Sequence, residues 1–174
     1  MLRYLGTGQR DYRETPIRPS QRGLFEFQSV LHGKIAPTAA DGRVSAGFQG
    51  PCLWLFGAQD VHGWQGDGQQ AEVAVFHFSW TPEGIERSLL ANGPVSLPLA
   101  TQQVQRCRTW AVLAAEHLRR PRASSATVFL GILAQLCDLL WTGLGDRNLA
   151  DPRAADRQRV EDALHWYRQH LYAA

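Results

Sequence analysis

Apolar positions recur with two different periods along the chain. From residue 22 to about residue 80 they fall in short runs broken by Gly, Pro and Asp. Within Leu24–Leu31, Phe25, Phe27, Ser29 and Leu31 share one side, the period-two pattern of a strand. Asp41-Gly42 and Gln49-Gly50-Pro51 are turn signals. Cys52–Phe56 reads as a short, nearly continuous apolar strand, Gly66-Asp67-Gly68 turns the chain again, and Glu72–Phe78 closes the series. Strands this short with turns this regular predict a sandwich or a small barrel.

After Pro98 the period becomes helical. Ala100, Val104, Cys107, Trp110, Ala111, Ala114 and Leu118 fall on one stripe. Arg119, Arg120 and Pro121 end it, with positive charge where a helix C-terminus favours it. Ser124 or Ser125 caps a second helix whose apolar residues extend nearly all round, so it is expected to be buried on more than one side. One side can cover the first helix or the strands. The other is expected to meet the same helix of a second subunit, through Val128, Phe129, Ile132, Leu133, Leu136, Leu139 and Leu140. The alternative is burial wholly within one chain. Gly143 to Ala155 reads as a linker. Asp151-Pro152 then starts a third helix with Val160, Ala163, Leu164, Tyr167 and Leu171 in its stripe.

Composition narrows the class. The chain has 174 residues, 44% of them hydrophobic, enough for a real core. A net charge of +2 gives no strong field toward nucleic acid or membrane. Cys52, Cys107 and Cys137 are widely spaced with no CxxC, so each reads as a small buried hydrophobe. The polar start MLRYLGTGQRDYRETP has no apolar signal core. The apolar stretch around 126–144 is interrupted by Gln135 and Asp138 and is short for a membrane span. A cytoplasmic protein with no membrane partner is expected.

Three segments, FEFQSVLHGKI (25–35), GPCLWLFGAQDVHGW (50–64) and AEVAVFHF (71–78), resemble the N-terminal cupin-like domain of AraC-type transcription regulators. DRQRVEDALHWYRQHL (156–171) looks like the helix that leads into the DNA-binding domain of that family. The resemblance implies an α+β fold: a small cupin-like (double-stranded β-helix, or jelly-roll) barrel followed by helices that form a dimerisation element. It divides the chain into an N-terminal arm (1–21), a ligand-binding barrel (22–97), a helical dimerisation region (98–149), and a linker with the first helix toward DNA binding (150–174). DNA would then be contacted only through a C-terminal helix-turn-helix domain absent from this chain. The implied partners are a second copy of the chain and a small-molecule effector, a sugar by family analogy. The His-x-His metal pattern of cupins is missing.

Candidate chemistry concentrates in the strand half. His62 and Trp64 lie two residues apart, on the same side of a strand, and pair a polar handle with an apolar plate. His77 lies between Phe76 and Phe78 and faces opposite to both. Trp54 is a candidate ring wall, and Arg22 and Glu26 are candidate anchors for a polar ligand. His32 completes the set. These seven are the expected ligand-binding residues, with no catalytic group, metal or cofactor. The alternative is a metal-dependent cupin enzyme using His32, His62 and His77. Triad, phosphate loop and paired carboxylates are all absent from the sequence pattern.

Overall fold

A computed structural model describes residues 1–144. In chain order the elements are β1 (Leu2–Asp11), β2 (Ile17–Gln21), β3 (Phe25–His32), β4 (Ile35–Thr38), β5 (Cys52–Phe56), β6 (Val61–Gly66), β7 (Gln70–Phe78), α1 (Glu83–Asn92), β8 (Val95–Pro98), α2 (Thr101–Arg119) and α3 (Ser125–Leu144). The fold is α+β. A five-stranded sheet has the order β1-β7-β3-β5-β8 and a three-stranded sheet the order β2-β6-β4. Every strand pairing is antiparallel.

The five-stranded sheet is the middle layer of three, and its pleat decides which side chain meets which neighbour. Phe25, Phe27 and Leu31 of β3, Leu53 and Leu55 of β5, and Phe76 and Phe78 of β7 pack in one cluster with the helices. Val30, Cys52, Trp54, Phe56 and Val73 belong to the opposite faces of these same strands. They pack with Ile35 and Trp64 of the small sheet and with Tyr12. This accounts for the unbroken apolar run in β5: a strand buried on both faces has no polar side to show. Burial pushes the Cys52 and Cys137 thiols up to about 12 and that of Cys107 to about 11, which suits inert packing groups.

The helices complete the first of these two clusters. On α2, Val104, Cys107, Trp110, Ala111 and Ala114 are buried, as the stripe predicts, while Ala100 is exposed and Leu118 is 40% exposed. The Gln103 side chain accepts the Ala100 N–H at 2.7 Å, capping the helix start. Arg108 reaches from α2 to Glu72 of β7 with two charge-assisted bonds of 2.9 and 2.7 Å, tying helix to sheet. Ser125 Oγ accepts the Arg122 N–H at the start of α3 and contacts His117 Nδ1 at 2.9 Å.

Three expectations need correction. The first concerns the dimerisation residues. Phe129, Ile132, Leu133, Leu136, Leu139 and Leu140 are between 0 and 4% exposed within the single chain, and Val128 packs partly buried against the same core. They are covered by the sheet and α2, so the expected face on a second subunit is not open. Ser125–Gly143 is long and apolar enough to cross a membrane by length and composition, a test that the core helix of a folded domain also passes.

The second concerns residues 1–21, which are not a separate arm. β1 pairs with β7 from Leu2 to Asp11, and β2 pairs with β6. These segments look coreless in sequence because edge strands are held mainly by backbone hydrogen bonds. Of β1, only Leu2 is buried. The third is an omission: α1 and β8 lie in the stretch before Pro98 and add a helix and a sheet edge there. The expected linker and third helix, 150–174, lie outside the described residues.

Candidate functional site

The strand pairings bring one carboxylate to the middle of the space between the sheets. Glu26 on β3 sits opposite His77 on β7. It is 1% exposed. Oε1 accepts the Trp64 Nε1–H at 2.8 Å and lies 3.2 Å from His62 Nε2. Oε2 lies 2.8 Å from Arg22 Nε and 2.9 Å from His77 Nε2. Four donors from β3's own approach, β6 and β7 therefore saturate one buried carboxylate.

Burial alone would raise the Glu26 pKa. The hydrogen bonds from His62 and His77, with the charges of His62 and Arg22, outweigh it and hold the carboxyl far below its ordinary range. Glu26 is therefore a fixed anion that orients its neighbours and has no lone pair left for proton transfer.

Counting hydrogens fixes the His62 tautomer. Arg22 Nη1 also lies 3.2 Å from His62 Nε2. Its two hydrogens, however, have carbonyl acceptors, Ser20 O at 3.1 Å and His62 O at 2.9 Å. His62 Nε2 is then left to donate to Glu26, and its Nδ1 carries the lone pair when the ring is neutral. The same logic makes His77 Nε2 a donor to Glu26. The His77 ring also packs on Tyr4, centroids 5.0 Å apart.

This polar cluster stands between two cavities. The first, about 380 Å³, opens beside β1 and β2 and is lined by Arg22, Glu26, Gln28, Trp64, His77 and Tyr12, among others. Gln28 is 1% exposed, and its Nε2 has no hydrogen-bond partner among the described residues. Burial raises the pKa of the neighbouring Tyr12 phenol and a hydrogen bond with the Gln28 side chain lowers it, with a net rise. The second cavity, about 390 Å³, lies beyond His62 on the β4–β5 side and includes Trp54 and Phe56 in its walls. A larger depression of about 650 Å³ runs outside the sheets, beside α2. Its carboxylates Glu72 and Glu116 are paired with Arg108 and Arg122, and Arg119 and Arg120 also line it.

Of the seven expected residues, Arg22, Glu26, His62, Trp64 and His77 meet in one cluster. Trp54 joins it through ring contacts, 6.1 Å from Trp64. His32 does not. It is exposed at the end of β3, opposite Glu72. The three imidazoles of the metal alternative therefore do not converge. The two that do both point Nε2–H at one carboxylate, beside the Arg22 guanidinium. Among the described residues no group of His, Cys, Asp and Glu is arranged to hold a metal ion. Tyr4, Tyr12 and Gln28 were not expected. Gln28 alternates with Glu26 and shares its face, the one signal that could have found it. The tyrosines lie in a segment with no apolar period.

The chain matches no protein-family model, and no curated protein matches it.

Proposed function

We propose that this chain is the effector-sensing and dimerisation part of a bacterial AraC-type transcription regulator, acting in the cytoplasm, with the two sheets serving as a cupin-like barrel. The observation that carries the reading is the Glu26 cluster: a saturated, buried anion that fixes Arg22, Trp64 and His77 around a cavity. A preorganised mixture of one apolar plate and several hydrogen-bonding groups is what a small-molecule site needs. Gln28 and His77 line that cavity, and Gln28 Nε2 has no hydrogen-bond partner among the described residues. The effector they favour is small, uncharged and rich in hydroxyls, as a monosaccharide is.

Binding can act only through differential affinity for two arrangements of the protein. β1 and β2 wall the cavity, and β1 pairs with β7, which Arg108 ties to α2. Occupancy would thus bias the helices through β7. The implied homodimer would use surface outside the covered face of α3; Val112, Leu113 and Leu118 of α2 remain exposed. Sedimentation at high micromolar concentration is expected to give a dimer, and a monomer would remove that part of the reading.

The central test titrates a panel of neutral monosaccharides and follows tryptophan fluorescence and melting temperature. At least one is expected to bind saturably to the wild type and to weaken about tenfold in Gln28→Leu, the loss of one buried hydrogen bond. No saturable binding across the panel, or binding indifferent to both Gln28→Leu and His77→Phe, would overturn it.

A further inference from the structure

The depression beside α2 combines an apolar wall with unpaired positive charge, a pairing that the cavity next to Glu26 does not have. We propose that it is a binding groove for an aliphatic carboxylate of medium chain length, its chain lying along α2 and its head at Arg119 and Arg120. The proposal stands on this groove alone, whether or not the cavity next to Glu26 takes an effector.

One side of α2 builds the long wall. Arg108, Ala111, Val112, Ala115, Glu116 and Arg119 all line the groove, and they recur at the three- and four-residue spacing of a single helix face. From Arg108 to Arg119 a rise of 1.5 Å per residue makes that wall about 16 Å long. The floor is the helix-facing side of the large sheet, where Leu31 of β3 and Ala74 of β7 are buried. Thr7 of β1, paired with Ala74, lines it at the sheet edge. The volume of about 650 Å³ falls within the range of roughly 300–1,000 Å³ usual for small-molecule sites. An occupant that follows this wall is extended, and Ala111, Val112 and Ala115 give it apolar contact.

Charge selects the head group and the end at which it sits. Glu72 is held by Arg108, and Glu116 by Arg122. Arg119 and Arg120 line the same groove, and their side chains make no hydrogen bond or ion pair among the described residues. The lining thus carries three arginines against two carboxylates, and the surplus positive charge lies at the C-terminal end of α2. An anionic head is favoured there and a cationic one is not. A guanidinium takes a carboxylate through two parallel N–H bonds. The aliphatic tail then covers apolar surface that is otherwise open to water, including Val112, which is 72% exposed.

The test titrates hexanoate, octanoate and decanoate, each below its micellar concentration, into the full chain by isothermal titration calorimetry at pH 7 and low salt. Decanoate is expected to bind saturably at a single site per chain. Affinity should rise about two- to fourfold with each added methylene, the effect of burying it wholly or in part. 1-Octanol, the same chain without the charge, should bind at least about tenfold more weakly than octanoate. Replacing both arginines, Arg119→Gln with Arg120→Gln, should weaken decanoate at least about tenfold. It should leave the melting temperature in place, because both side chains are exposed. Ala115→Phe, which fills the groove, should abolish binding, and Gln28→Leu in the cavity next to Glu26 should not alter it. No saturable binding of decanoate overturns the proposal. So does binding that survives the double arginine substitution, or 1-octanol binding as tightly as octanoate. Binding lost in Gln28→Leu would put the carboxylate beside Glu26 and also overturns it. Binding that weakens as protein concentration rises would assign the groove to a second copy of this chain, with the same consequence. An Ala115→Phe protein that fails to fold leaves the two exposed arginines to decide.

Discussion

Glu26 concentrates more interactions than any other single group in the site. Removing a charge from a buried, hydrogen-bonded pair costs about 3–5 kcal/mol, because the partners stay buried and unpaired. Glu26→Gln keeps the shape and one acceptor oxygen but opposes an amide to Arg22 and His77. It is expected to lower unfolding free energy by about 3 kcal/mol, read by urea denaturation at pH 7. The pH dependence has a definite sign. The folded-state pKa of Glu26 lies below its ordinary value of 4.5, so its contribution is complete above that value and is lost as pH falls. The stability gap between wild type and Glu26→Gln should be large at pH 6 and narrow steadily below about 4.5; a gap that widens toward pH 3 would contradict the assignment. Gly63, between the two site residues of β6, is constrained differently. A Cβ there would collide with Ile17 O and would sit 2.7 Å from Pro19 N and from Thr38 Oγ1. Two of these contacts are backbone and cannot swing away. Gly63→Ala should cost about 1–3 kcal/mol, the usual range for overpacking, and a neutral result in thermal melts would show that β2 can move aside.

Among the elements, α3 separates two readings of an apolar helix. A helix apolar nearly all round in sequence can be shared between two subunits or enclosed within one. Here Leu136 is 0% exposed and Leu130 46%. Leu136→Ala should therefore destabilise the chain by about 2–5 kcal/mol, as a fully packed leucine does, independently of protein concentration. Leu130→Ala should change stability by less than about 0.5 kcal/mol. Stability of Leu136→Ala that rises with protein concentration would return α3 to a subunit interface. The β5 strand makes a related point. Its unbroken apolar run serves two cores at once, Leu53 and Leu55 toward the helices, Trp54 and Phe56 toward the small sheet.

At the scale of the whole molecule, the edge strands β1 and β2 decide whether the cavity beside Glu26 is a closed compartment. β1 holds to β7 along its length, and its glycines keep side chains off that wall at Gly6 and Gly8. Deleting residues 1–11 removes a structural strand, so the shortened chain should melt lower and show a smaller denaturant m-value. A detachable arm would leave both unchanged, and that result in parallel melts would restore the arm reading. The Glu72–Arg108 pair then links the same β7 to α2, giving one continuous path from cavity wall to helix.

The pattern of apolar positions determined much of this protein. Period-two alternation placed Phe25, Phe27 and Leu31 on one face, and helical spacing placed Val104, Cys107 and Trp110 on another. The start of α3 at Ser125 and the opposite facing of His77 and Phe76 also follow from local chemistry, because backbone period alone sets which side a residue takes. The set Arg22, Glu26, His62, Trp64 and His77 was legible as residue types on strand faces. Their convergence on one carboxylate, and the exclusion of His32 from it, came only from the register of β3 against β7 and of β6 in the other sheet. Long-range pairing likewise decided that residues 1–21 form sheet edges and that α3 is covered within the chain. Edge strands hold by backbone hydrogen bonds, which leave no mark on side-chain pattern. Which surface covers an apolar helix depends on what packs opposite it, and sequence spacing carries no information about that.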